Sequence, residues 1–117
     1  MDKYLTIGHL YGIKNIYYNF TLRSKKKPTY VNENIVLQKM KDNLYDKIID
    51  SRDEGSFKNK HYYNSLNFTS NNIKSLDKDK KYLIYGNYDM SYFAACQMIN
   101  CGFENIYFTS RDLSILK

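Results

Sequence analysis

Residues 82–91 read YLIYGNYDMS, an apolar run that breaks at Gly86 into a short polar stretch. A strand that passes through a tight loop into a helix leaves free backbone N–H groups converging on one point, a place to hold an anion or a reactive thiolate. Covalent chemistry there needs a Cys, or a Ser with an activating His, and an anionic substrate calls for an Arg. Gly86, Asn87, Tyr88, Asp89, Met90 and Ser91 supply no such set. The two thiols of the chain, Cys96 and Cys101, are five residues apart. That spacing puts them on different faces of a helix and suits neither a disulfide nor a zinc knuckle, so both read as reduced, buried thiols. Cys96 lies too far into the expected helix, and Cys101 at its wrong end, for the helix N-terminus to favour a thiolate. Asp89 stands one or two positions before that helix, where its carboxylate is expected to cap the first free N–H groups. Acting instead as a general base, it needs a nucleophile or metal partner that the sequence does not display. His9 and His61 are isolated from each other and from any Cys or carboxylate cluster, so no metal site and no cofactor are expected.

These residues depend on the elements that place them. Residues 3–22, KYLTIGHLYGIKNIYYNFTL, are β-rich and predict a hairpin or two short strands. A basic linker, Arg23 to Pro28, follows, and TYV is a brief extended piece. Asn32 as N-cap, Glu33 in the first turn, and Val36, Leu37, Met40 and Leu44 at helical spacing predict an amphipathic helix over 33–43. YDKIID is a short apolar strand ending at Asp50 in the charged segment SRDEGSFKNKH. A short helix over 72–76, a buried strand KKYLIY, and a helix from Ser91 to Cys101 come next. In that helix Phe93, Cys96 and Ile99 form a stripe, with Gly102 at the C′ position. ENIYFTS is a third strand and DLSILK a final helical turn or two. Strands alternating with helices imply parallel pairing and right-handed crossovers, hence an α/β domain of three layers around a mainly parallel sheet.

A chain of 117 residues that is 43% hydrophobic and 26% charged is one globular domain, not a disordered tract. No apolar run approaches the roughly 20 residues of a membrane span, and the first residues lack the continuous apolar core of a secretory signal. A cytoplasmic protein with no membrane partner is expected. The net charge of +6 raises nucleic acid as a partner. The joint abundance of Lys, Asn, Ile and Tyr accounts for much of it as compositional bias, so nucleic-acid binding is the least supported expectation.

From about residue 29 to 117 the chain resembles the rhodanese family. DKIIDSRDEGSFKNKHYYNSLNF is similar to that family's D-x-R segment and the G-H-I-P-G-A-x-N stretch after it. Asp50 and Arg52 stand at the D-x-R positions, Phe57 at an aromatic one and His61 at the histidine. KKYLIYGNYDMSYFAACQMINCGFENIYF resembles the family's central strand, loop, helix and next strand, with Ser91, Ala94, Ala95, Gly102, Phe103 and Asn105 in matching places. In RDLSILK, Arg111 and Asp112 replace the glycines, and Leu116 the Trp, of the family's G-G-x-x-x-W ending. The resemblance implies a rhodanese-like domain over 29–117 and an extension over 1–28. It places Gly86 where the family keeps the sulfur-carrying Cys, and Met90 where an Arg commonly precedes the Ser. It also implies structural roles for Asp50 and Arg52, with loop packing for His61. The expected function is a catalytically inactive module for binding or regulation, with a divergent thiosulfate sulfurtransferase as the alternative and a basic nucleic-acid module as the third.

GHLYGIKN, residues 8–15, resembles the family's G-H-I-P-G-A-x-N better than KHYYNSLN, residues 60–67, does. A truncated repeat is one explanation and chance similarity in a Tyr- and Asn-rich chain the other. Either way the apolar residues of 3–22 need something to cover, so the extension is expected to dock on the domain, on an unknown protein partner, or on a second copy as a homodimer.

Overall fold

The computed structural model describes residues 26–116. The elements are β1 (Thr29–Tyr30), α1 (Val36–Lys41), β2 (Lys47–Asp50), α2 (Glu54–Asn59), β3 (Leu66–Asn67), α3 (Ser70–Lys74), β4 (Lys81–Tyr85), α4 (Tyr88–Asn100), β5 (Asn105–Thr109) and a 3-10 turn at Leu113–Ile115. The strands form one sheet in the order β1-β5-β4-β2-β3, and every pairing is parallel. The α/β, three-layer expectation holds. β4, at the centre, has four consecutive buried residues, Tyr82 to Tyr85, because both faces of a covered parallel sheet are apolar.

Alternation along the strands divides the core in two. Ile49, Tyr82, Ile84, Ile106 and Phe108 face α3 and α4, where Ile73, Ala94, Ala95, Met98 and Ile99 meet them. Leu83 and Tyr85 turn to the other face, toward Val36 of α1 and Leu113 of the 3-10 turn, with Ile48 and Tyr107 partly buried beside them. One residue of register decides which layer each side chain serves.

The helix boundaries differ from expectation in instructive ways. The first helix begins at Val36 and ends at Lys41, not over 33–43. Asn32 closes a turn instead: its Oδ1 accepts from the Asn34 N–H at 2.8 Å, and its carbonyl accepts from Ile35 and Val36. The short third helix lies at 70–74, two residues early, with the Thr69 side chain accepting from Asn72 N–H as its cap. The charged segment after Asp50 contains α2, and β3 is a further strand; both are too short for periodicity to reveal. Phe93, Cys96 and Ile99 are all buried. The stripe of α4 that meets the sheet, however, is Ala94, Ala95, Met98 and Ile99. Gly102 does close the helix: with φ +103, it sets Gly102 N–H on Ile99 O and Phe103 N–H on Met98 O, a Schellman turn. The hairpin expected over 3–22, the basic cluster through Lys25, and His9 lie outside the described residues.

Candidate functional site

Two strand ends meet at the C-terminal edge of the sheet. At the end of β2, Asp50 is fully buried, and a buried carboxylate is tolerable only when its oxygens are saturated with donors. Arg52 curls back to supply them. Its Nε lies 3.0 and 3.2 Å from the two oxygens, its Nη2 2.8 Å from Oδ2, and its backbone N–H donates to Oδ1 at 2.8 Å. The Tyr85 hydroxyl donates to Oδ2 at 2.6 Å, and its own oxygen accepts from the Tyr62 N–H. Arg52 Nη2 also donates to the Lys60 carbonyl, and Asn67 Nδ2 donates to the carbonyls of Asp50 and Arg52. Burial first, and the neighbouring Asp50 carboxylate second, push the Tyr85 phenol up to about 12. Donating hydrogen bonds to the Asp50 carboxylate drives the Arg52 guanidinium above its already high ordinary value.

Asp50 and Arg52, paired by sequence, are thus one hub with Tyr85 and Asn67. Tyr85 is the last residue of an apolar strand and Asn67 one of four asparagines in NSLNFTSNN; only the sheet, which aligns Asp50 with both, reveals their role. His61 is exposed, its ring stacked on Phe57 at 3.8 Å between centroids and its Nδ1 2.7 Å from the Phe57 carbonyl. It packs on its own turn.

At the end of β4 the segment Gly86–Ser91 is short of loop. Only Gly86 and Asn87 lie outside a helix, because α4 starts at Tyr88. The cap is Asn87, not Asp89: Asn87 Oδ1 accepts from the Met90 N–H at 2.8 Å. Asp89 sits within the first turn, exposed, where a negative charge still complements the helix dipole. The Ser91 hydroxyl is buried and donates to the Asn87 carbonyl at 2.8 Å.

Gly86 is held at φ +147 and is buried. A Cβ built on it would stand 2.1 Å from Ser51 Oγ and 3.5 Å from Ser51 Cβ. Ser51 is itself fixed, with its hydroxyl and its N–H both donating to the Tyr85 carbonyl, at 2.7 and 2.9 Å. The space beside the strand end that a side chain at position 86 would enter is filled by that hydroxyl. The thiols lie elsewhere: Cys96 is eight residues beyond the first residue of α4, roughly 12 Å along its axis. Burial pushes both Cys96 and Cys101 thiols up, against thiolate formation. No three His, Cys, Asp or Glu side chains converge as a metal-binding group among the described residues, and no described helix is long and apolar enough to cross a membrane.

Beside Gly86 the surface is aromatic. Tyr30, Tyr88 and Tyr92 surround the Phe108 ring at centroid distances of 5.3–5.5 Å. They remain 41%, 49% and 41% exposed. Half-exposed at the edge of the core, the three together make a continuous face.

No protein-family model matches the sequence, and no curated protein matches it. Solved structures do resemble it. The solution structure of the rhodanese-like domain from the Anabaena sp. Alr3790 protein superposes with a TM-score of 0.63 at 17% identity, over 74% of this chain and 70% of that one. A crystal structure of the Alr3790 protein gives 0.58 at 16% identity, over 71% and 72%. A crystal structure of its Rhodanese_3 like domain gives 0.52 at 20% identity, over 57% and 84%. Likeness at that identity speaks for architecture alone, and in architecture this chain is rhodanese-like.

Proposed function

We propose that this chain is a catalytically inactive rhodanese-like domain that acts as a binding or regulatory module. The observation that carries this reading is the packing at Gly86: a Cβ there meets Ser51 Oγ at 2.1 Å, so the strand end that the family resemblance assigns to the nucleophile has no room for a side chain. Two further features support it. The two-residue connection to α4 is too short to wrap an anion in backbone N–H groups, and Cys96 and Cys101 are both buried thiols with raised pKa. What the site offers instead is a face of three half-exposed tyrosines next to Asn87 and Asp89, side chains of the kind that anchor protein interfaces.

The test is a thiosulfate:cyanide sulfurtransferase assay together with cyanolysable-sulfur analysis of protein incubated with thiosulfate. No turnover and no bound sulfane sulfur are expected. Stoichiometric sulfur on either cysteine would overturn the proposal in favour of the second reading, a divergent sulfurtransferase, which the likeness to rhodanese-like domains keeps in view.

A further inference from the structure

The turn after α1 is fixed by its backbone. Asn43 stands at φ +56, its N–H donates to the Met40 carbonyl, and the Leu44 N–H donates back to the Lys39 carbonyl, so the chain reverses at the helix end. Tyr45 is then held to the sheet through its neighbour: the Asp46 N–H donates to the Lys81 carbonyl and Asp46 Oδ2 accepts from the Lys81 N–H, both at 2.8 Å. Between α1 with its turn and the β1–β5 side of the sheet there remains a cavity of about 160 Å³. It reaches Lys81, the first residue of β4, whereas Gly86 follows the last, so it lies toward the opposite end of that strand from the site described above.

The walls of this cavity are apolar. Seven large apolar side chains stand exposed among the described residues, and three of them, Tyr30, Ile35 and Leu44, gather here with the buried Val31. The rings of Tyr45 and Tyr107, with centroids 5.4 Å apart, line it too. So do Lys39 and Lys81, and neither ammonium is within ion-pair distance of a described carboxylate. Asp46, close by in the chain, is already engaged by the Lys81 backbone. The Tyr45 and Tyr107 hydroxyls form no hydrogen bond with a described residue either. Burial first, and Tyr107 second, push the Tyr45 phenol up to about 12, so at neutral pH it remains a donor. Donors in want of an acceptor, set beside an apolar wall, suit a small organic anion.

We propose that this cavity binds a small carboxylic acid carrying a single aromatic ring, with its carboxylate held by Lys39 and Lys81 and its ring seated against Ile35, Leu44 and Tyr107. Size sets the limit, since a cavity of roughly 150 Å³ holds one benzene ring. A fused ring system or a long acyl chain does not fit. The aromatic wall favours a ring over an aliphatic chain, because aromatic pairs gain from tilted and offset contacts beyond their buried area. The proposal is independent of whether Gly86 has lost its chemistry.

Titrating the isotope-labelled full chain with phenylacetate, followed in amide NMR spectra, tests it. Saturable shifts are expected at Ile35, Lys39, Leu44, Lys81 and Tyr107. Phenylacetamide, which has the ring without the charge, and acetate, which has the charge without the ring, should each bind about tenfold more weakly or less. A Lys39→Gln, Lys81→Gln variant should lose phenylacetate affinity by about the same factor, whereas Lys60→Gln, Lys74→Gln, of equal net charge and away from the cavity lining, should keep it. Shifts that do not saturate or that fall on other residues, or equal affinity for either analogue, would overturn the proposal. A folded Lys39→Gln, Lys81→Gln variant that binds as well as the wild type would do the same. If that variant does not fold, the ligand series on the wild type decides alone.

Discussion

The ends of β2 and β4 lie side by side in the sheet, with Asp50 paired to Tyr85, yet they are built on opposite plans. At Asp50 every polar group is spoken for by Arg52, Tyr85 and Asn67, which between them join β2, β3, β4 and the end of α2. At Gly86 there is no side chain, and the neighbouring hydroxyl of Ser51 occupies the space. The contrast separates two demands that a rhodanese-like edge places on a sequence. A buried carboxylate must keep its partners or the fold loses stability. On the function proposed above, the second position carries no such demand, and it can be closed over while the scaffold around it persists.

Breaking either side should have a similarly large consequence. Asp50→Ala leaves the buried Tyr85 hydroxyl without its acceptor and the partly exposed Arg52 guanidinium without its carboxylate, and urea unfolding should report a loss of about 3 kcal/mol. Equal stability of variant and wild type would show the hub to be ornamental. On the other side, Gly86→Ala should cost roughly 2–4 kcal/mol, from the φ of +147 and the overlap with Ser51 Oγ together. Adding Ser51→Ala leaves the Ser51 Cβ at the ordinary distance of 3.5 Å, so the double variant should recover part of that loss. Failure to recover any would mean that backbone strain, not the hydroxyl, closes the position. A Cys at position 86 faces the same obstacle, and its thiol can be sensibly titrated only in the Ser51→Ala background.

The hub should also reveal itself in alkali. Tyr85 has a folded pKa raised to about 12 from an ordinary value near 10. Its contribution is therefore complete below pH ~10 and is lost as the pH rises through 12, about 2–3 kcal/mol in all. Tyr45, raised to about 12 by burial and then by Tyr107, adds a second loss in the same window. Tyr85→Phe should accordingly flatten, without abolishing, the alkaline fall in stability. An unchanged slope in that variant would remove Tyr85 from the account. The smallest effect belongs to the cap: Asn87→Ala should lower stability by about 1 kcal/mol, and Asp89→Asn by less. If Asp89→Asn proved the costlier in a thermal melt, the carboxylate and not the amide would be capping α4.

The parts of the fold that were legible before the structure are those with a local signal of sufficient length. The β4 strand, the long helix after it and its Gly102 stop each extend over enough residues for pattern and cap to agree. α2 and β3, at six and two residues, do not, and their existence depends on what they pack against. The start of α4 shows the same limit at finer scale. Asn87 and Asp89 are both good capping residues, and the choice between them is made by Gly86, whose unusual φ turns the chain early enough for Asn87 to serve.

By itself the sequence determined the α/β alternation, the three layers and the lack of a Cys between Gly86 and Ser91, since each follows from residue type and near-neighbour spacing. Only the tertiary structure brought Ser51 against Gly86, and Tyr85 and Asn67 onto Asp50. Those contacts join residues 35 and 17 positions apart. Their geometry comes from strand register, which no local pattern encodes.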